Sequence, residues 1–300
     1  MPFNDGIPRH KCFSLTDFHD YDFCQFRFFV KHHLEKKYEL EEPNYNMALG
    51  ILLDNAIKKF HESKAYGCEP SYLKNLVKAA ENFIRSKVTF QKAPSFYSLI
   101  IPLLDQEMLD KAAQVFENYY ISLDKKIKRS LGPVGFCEFI VKTRSGDCKL
   151  WGGPDAYELG DDGMAEVVDY KYREGDSDNF DMDLMPKIYT LLASKYLLSK
   201  GYEKARFIVR LWQKPGNDSL YEEFDLKTLV AFEGLFIQRI EQILGTTNLK
   251  FCEQPFCKAC KSDKRQQYIN ELVKNNFISL DTEIVIDSTS LSAADFAAKA

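Results

Sequence analysis

Glu166-Val-Val-Asp169-Tyr-Lys171 is the stretch on which the reading of this chain turns. Val167, Val168 and Tyr170 are strand-forming types, and they predict a strand over Ala165–Tyr172. Side chains alternate along a strand, so Asp169 and Lys171 share one face. One strand upstream, Gly152-Gly-Pro-Asp155 sets another carboxylate after a flexible turn. Two carboxylates and a lysine converging at a sheet edge suit phosphodiester hydrolysis. The carboxylates hold a hard divalent ion that polarises phosphate and activates water. The lysine orients that water or stabilises charge building on the phosphate. Taken alone, Asp169-x-Lys171 also fits a cross-strand salt bridge on a solvated face. The glycine turn and Asp155 shift the reading toward chemistry.

Working outward, Phe136–Thr143 and Leu150–Leu159 read as strands, with Ser145-Gly-Asp147 and Gly160-Asp-Asp-Gly163 as turns. A helix follows over Leu184–Leu198, with Pro186 tolerated only near its start. Then come a strand over Arg206–Trp212, a helix over Leu226–Leu244 and a short helix over Gln266–Asn275. The first 130 residues read as helical. Ser14-Leu-Thr-Asp17 is a capping box opening a helix from Phe18 to about Leu34. Met47, Ile51, Ile57 and Phe60 mark a second helix, and Ser71–Val88 and Gln106–Lys128 two more. The fold class is α/β (α+β), a mixed sheet flanked by helices. Residues 1–280 read as one domain, 69–130 as a helical insertion or lid, and 281–300 as a loosely held tail.

The 300 residues are 45% apolar and 28% charged, with 23 Phe, 16 Tyr and 2 Trp, a composition that fills a core and argues against disorder. A net charge of −4 excludes a globally basic nucleic-acid coat but leaves room for a local basic groove. Lys142, Arg144, Lys149, Arg206, Arg210, Lys261, Lys264 and Arg265 either line such a groove or form solvated basic faces. No apolar run approaches a membrane span, and the first residues lack a charged head followed by an apolar stretch. The expectation is a cytoplasmic protein with no membrane partner.

Asp54 lies three residues from both Ile51 and Ile57, near the apolar stripe of its helix, and reads equally as a metal ligand or as a boundary residue turned to solvent. His61, two turns further, reads as an ordinary surface histidine. Eight cysteines are too few for a disulfide scaffold, yet Cys252-x4-Cys257-x2-Cys260 crowds three thiols into nine residues. That cluster suits either Zn²⁺ or an iron–sulfur centre, and both need a fourth ligand. Cys12 is one candidate for it.

These motifs together resemble the PD-(D/E)xK nucleases, and most closely their RecB-like branch, which includes AddB-type and CRISPR-associated single-domain exonucleases. Gly152-Gly-Pro-Asp155 and Val167-Val-Asp169-Tyr-Lys171 match the core of that branch. Ser14 through Cys24-Gln-Phe-Arg-Phe-Phe29, Gly50 through Asp54, Met185 through Tyr189 and the C-terminal cysteines follow in the same order, so the resemblance spans about residues 14–262. It implies a restriction-endonuclease-like sheet and a metal-dependent DNA exonuclease acting on single strands or DNA ends, with a helicase or a recombination or replication protein as partner. By resemblance Asp155, Asp169 and Lys171 are catalytic. Asp54, Asp155, Asp169 and the Tyr170 carbonyl hold Mg²⁺ or Mn²⁺, and Lys187 and Tyr189 touch substrate. Cys24, Cys252, Cys257 and Cys260 are implied to hold a [4Fe-4S] cluster, which pins the segment 250–275 to the N-terminal helix. The chain departs from the branch at Asp54, where a histidine is usual, at Met185, where a glutamine is usual, and in lacking a trailing cysteine after Cys260.

Overall fold

The computed structural model describes residues 6–40, 43–89, 96–122, 130–132, 137–172, 184–213, 221–252, 254–255, 257–279, 281–286 and 289–292. No helix among them is long and apolar enough to cross a membrane. In chain order the first elements are β1 (Cys12–Phe13), α1 (Leu15–Phe23), α2 (Gln25–Phe28), α3 (Lys37–Leu40), α4 (Tyr45–Glu62), α5 (Tyr72–Thr89), α6 (Phe96–Ile100) and α7 (Gln106–Ser122). Then follow β2 (Cys137–Thr143), β3 (Gly146–Gly152), β4 (Ala156–Leu159), β5 (Ala165–Lys171), α8 (Met185–Ser199), β6 (Lys204–Leu211) and β7 (Tyr221–Asp225). The last are α9 (Val230–Leu244), β8 (Asn248–Lys250), α10 (Lys258–Lys261), α11 (Arg265–Lys274), β9 (Glu283–Ile286) and β10 (Thr289–Ser292). The chain divides into two compact units.

Glu42–Cys137 and Gly152–Phe232 make one unit. Its sheet has the order β4-β5-β6-β7. β5 runs antiparallel to β4, with Ala156 opposite Val168, and parallel to β6, with Asp169 opposite Val209 and Lys171 opposite Leu211. A parallel pair needs a long crossover, and α8 lies in it. With both edges of β5 paired, its residues are buried from Ala165 through Tyr170, which explains the apolar texture of the strand.

Asn44 starts α4 by accepting the Met47 N–H at 2.8 Å. The apolar face of α4, including Leu49, Leu53 and Phe60, shares one core with Val77 and Ile84 of α5, Phe116 and Tyr120 of α7, and Val168, Tyr170 and Trp212. The helices between 69 and 130, expected as an insertion, therefore contribute to the main core of this unit.

On the Tyr170 face of the sheet, Glu158 of β4 stands directly opposite Glu166 of β5. Two buried carboxylates so placed repel, and Arg210 of β6 joins them. Its Nη1 lies 2.5 Å from Glu158 Oε2 and its Nη2 2.7 Å from Glu166 Oε2. The Tyr170 hydroxyl donates to Glu158 Oε1 at 2.9 Å, and His61 Nε2 lies 3.4 Å from the same oxygen. Burial alone would raise the Glu158 pKa, but the Arg210 charge and these hydrogen bonds hold it below the usual value.

Two sequence expectations are corrected by this network. Arg210, 4% exposed, is a core cation rather than part of a basic groove, and Arg206 is committed to Asp162 and Glu223, each at 2.8 Å. His61 is buried at 5% exposure, not a surface residue.

Met1–Glu41, Glu138–Trp151 and Glu233–Ala300 make the other unit. It contains a sheet of order β1-β3-β2, with Cys12 opposite Lys149, and a sheet of order β10-β9-β8. The capping box forms as read, with Ser14 and Asp17 satisfying each other's N–H groups. The helix predicted to run on to Leu34 instead breaks at Cys24, whose backbone is extended (φ −164°, ψ 111°). The Cys24 sulfur accepts the Arg27 N–H at 3.4 Å and restarts the helix as α2, and a π-helical turn follows over Phe29–His33.

Lys149, another groove candidate, is fully buried and paired with Glu138 at 3.1 Å. The strand predicted over Leu150–Leu159 is two strands in different sheets. Gly152 turns the chain between them at φ +153°, a backbone region that glycine enters freely. Part of the segment read as a loose tail pairs as β9 and β10.

The Arg210 pairing carries a stability prediction. Arg210→Met removes the cation that joins Glu158 to Glu166, leaving Arg206 3.8 Å from Glu166, and costs about 3–5 kcal/mol in urea unfolding. Adding Glu158→Gln and Glu166→Gln should recover most of that loss. A single-variant loss under about 1 kcal/mol would show that the pairing is not structural.

Candidate active site and metal centre

Within the β4–β7 unit, α4, β5 and the turn before β4 bring Asp54, Lys58, Asp155, Asp169 and Lys171 together. Asp155 is fixed by the sheet itself: its N–H donates to Val168 O and its Oδ2 accepts the Tyr170 N–H, both at 2.9 Å. Lys58 Nζ stands 3.4 Å from Asp155 Oδ1, and Lys171 Nζ 2.6 Å from Asp169 Oδ2. Asp155 and Asp169 are 8% and 2% exposed.

Crowding of like charge shows in the acidities. Burial, and then the Asp155 charge with the opposing pull of Lys171, leave the Asp169 carboxyl pushed up to about 6. Burial and Asp155 likewise raise Asp54 well above the usual carboxylate range, against the opposing charges of Lys171 and Lys58. Burial works against the Lys171 charge, yet Asp169 and Asp155 outweigh it and raise its pKa.

Of the other predicted site residues, Tyr189 of α8 lies in the same field. Burial first and Asp169 second raise its hydroxyl pKa. Tyr170 turns its ring to the opposite face, onto Glu158, and offers the site only backbone. Lys187 Nζ sits 5.9 Å from the centre of the Phe232 ring. Met185 is buried at the start of α8. Lys58 is the residue that the sequence reading passed over. Its only signal was its place one helical turn after Asp54, where side chains share a face.

In the other unit, Cys24, Cys252, Cys257 and Cys260 present sulfurs that all lie within 4.8 Å of one another. Cys24 Sγ is 3.4 Å from Cys260 Sγ, which is 4.0 Å from Cys252 Sγ. Hydrogen bonds with Cys24 and Cys260 push the Cys257 thiol down to about 2. Cys24, held as the donor to Cys257, is pushed up to about 12, and Cys260 also rises. Crowded thiols of this kind share protons among themselves, and a cation would draw those protons off. Cys12, the other candidate fourth ligand, is instead placed against the carbonyls of Ile7 and Pro8.

The profile of the PD-(D/E)XK nuclease superfamily matches residues 12–265. The chain belongs to the PD-(D/E)XK nuclease superfamily. Its mixed α/β architecture is that of the restriction-endonuclease-like fold, and membership makes metal-dependent nuclease chemistry the expected activity. The solved structure of SSO0001 is similar at 13% identity over 70% of this chain and 84% of that one, with a TM-score of 0.23. No curated protein matches the chain.

The donor set fits the divalent ion that superfamily membership implies. Asp155 and Asp169 are hard oxygen donors close enough that the Asp155 charge raises the Asp169 carboxyl, and a cation would relieve their repulsion. Asp54 lies in the same field, since the Asp155 and Asp169 charges both act on its carboxyl.

A pH dependence follows from Asp169. Its pKa is about 6 in the fold, against about 3.9 in an unfolded chain, so between those values the folded state binds more protons. In chelator, stability should therefore fall by up to about 3 kcal/mol as pH rises from 4 to 6. Asp169→Asn should flatten that slope in urea titrations, and an unchanged slope would assign it to other groups.

Proposed function

We propose that this chain is a metal-dependent DNA exonuclease of the RecB-like, AddB-like branch, the type of the CRISPR-associated single-domain enzymes. We infer that it acts on single-stranded DNA or DNA ends in recombination, repair or replication, beside a helicase or other recombination or replication protein. The observation that carries the reading is the side-by-side placement of Asp155, Asp169 and Lys171 at the C-terminal end of the central strand β5. Residues 1–280 serve as one nuclease domain, with 69–130 its helical addition. The setting we infer is cytoplasmic.

Asp155 and Asp169 are the principal ligands for Mg²⁺ or Mn²⁺, with Asp54 and the Tyr170 carbonyl in support. The bound ion supplies a polarised phosphate and a more acidic water. The Tyr170 N–H holds Asp155 in place. Lys171, charged and beside Asp169, orients the attacking water and offsets charge on the phosphate. Tyr189 projects toward the same carboxylates and contacts the scissile strand. Lys187 reaches the phosphate backbone after leaving the Phe232 ring.

For the cysteine centre, resemblance supports a [4Fe-4S] cluster. The sulfur spacing supports the second reading, Zn²⁺: a tetrahedral ion with bonds of about 2.3 Å sets its sulfurs about 3.8 Å apart. A four-iron cube holds its cysteines further apart than the 3.4 and 4.0 Å seen here.

Two measurements test these readings. End-labelled single-stranded DNA is incubated with Mg²⁺, Mn²⁺ or chelator. Cleavage should require metal and fall at least about 100-fold in Lys171→Ala. Metal-independent binding without cleavage in any ion would replace the nuclease with a DNA-end binding module, weakened at Asp54 and Met185. Elemental analysis of anaerobically purified protein should find iron with acid-labile sulfide, or one zinc per chain, and Cys24→Ser should lower either content. Neither metal in the wild type would leave the quartet a cluster of thiols.

A further inference from the structure

We propose that Lys58 is a built-in counter-cation of the carboxylate site: it holds Asp155 until a divalent ion arrives, and then turns to a phosphate of the bound DNA. The inference rests on the nuclease reading and extends it to a residue that the motif around Asp169 does not contain. α4 places Lys58 one turn after Asp54, and its ammonium reaches Asp155 Oδ1 at 3.4 Å. The other oxygen of Asp155 is already taken by the Tyr170 N–H at 2.9 Å. That N–H belongs to the backbone of a strand paired on both edges and cannot withdraw. Oδ1, which carries no backbone donor, is therefore the oxygen better placed for an incoming Mg²⁺ or Mn²⁺, at a bond length of about 2.1 Å, and there the ammonium yields it.

Yielding is feasible. The Lys58 side chain is 37% exposed, against 11% for Asp155, and it is a flexible stem with three rotatable donors. A displaced ammonium stays in the field of Asp54, one turn back on its own helix, and can turn from there to the phosphate that the ion recruits. Lys171 is tied differently, to Asp169 two residues away on its own strand at 2.6 Å. The two lysines thus divide the site, one on each principal carboxylate.

The full chain, carrying Lys171→Ala to prevent cleavage, is titrated with Mn²⁺ by calorimetry without DNA. It is then titrated with labelled single-stranded DNA at saturating Mn²⁺. Removing the competing ion pair should tighten Mn²⁺ binding about fivefold in Lys58→Gln and Lys58→Met. DNA affinity should fall by a similar factor, while Lys58→Arg stays near the parent in both. Unchanged or weaker Mn²⁺ binding in the neutral variants overturns the competition. Unchanged DNA affinity overturns the phosphate contact. The neutral variants differ in shape, so a folding defect in one leaves the other to decide, and melting curves identify it. The nuclease reading fails separately, when chain with Lys171 intact binds Mn²⁺ and cuts no DNA; the calorimetric comparison still decides Lys58.

Discussion

Negative charge gathered at one end of a strand that has no free edge is the constraint around which the β4–β7 unit is organised. β5 is paired to β4 and β6, so whatever it carries is held in place and largely shielded from water. Asp169 therefore cannot swing away from Asp155, and the backbone N–H of Tyr170 prevents Asp155 from swinging away from Asp169. The repulsion is balanced by two lysines, one from the strand and one from α4. A site built this way has a standing demand for positive charge, and a divalent ion meets it better than ammonium groups whose positions depend on flexible stems.

The opposite face of the same strand solves a similar problem differently. Glu158 and Glu166 face each other there, and Arg210 binds both with the two arms of its guanidinium. Arg210 is 4% exposed and both carboxylates are fully buried, so this face is structural. The difference between the faces lies in the cation: a rigid fork locked in the core behind β5, and half-exposed lysines in front of it.

The cysteine centre follows the same logic with sulfur. Cys24 and the segment Cys252–Cys260 are more than two hundred residues apart in sequence, yet their sulfurs crowd within 4.8 Å. One metal or cluster there would close a very long loop, the situation in which a covalent clip restricts the unfolded chain most. Cys24 takes part by breaking the N-terminal helix, because its extended backbone aims the sulfur away from the helical path.

The sequence by itself determined the strands β2, β5 and β6, the helices α4, α5, α7, α8, α9 and α11, the pairing of Asp169 with Lys171 on one face and the clustering of three cysteines. Each of these depends on local periodicity: two residues per strand repeat, 3.6 per helical turn, or simple proximity along the chain. The residues that match known nucleases were legible for the same reason, since they sit at fixed spacings inside single elements. Tertiary structure alone decided which charges meet. Lys58 and His61 follow Asp54 on one helix by one and two turns, yet one reaches Asp155 and the other is buried against Glu158. Arg210 looked like half of a basic stripe until the register of β6 against β5 set it between two glutamates. Gly152 separated what read as one strand into two sheets, and residues near the C-terminus found a partner in β8. A charged side chain takes its role from the charge opposite it, and that partner is chosen by how strands and helices pack rather than by neighbours in the chain.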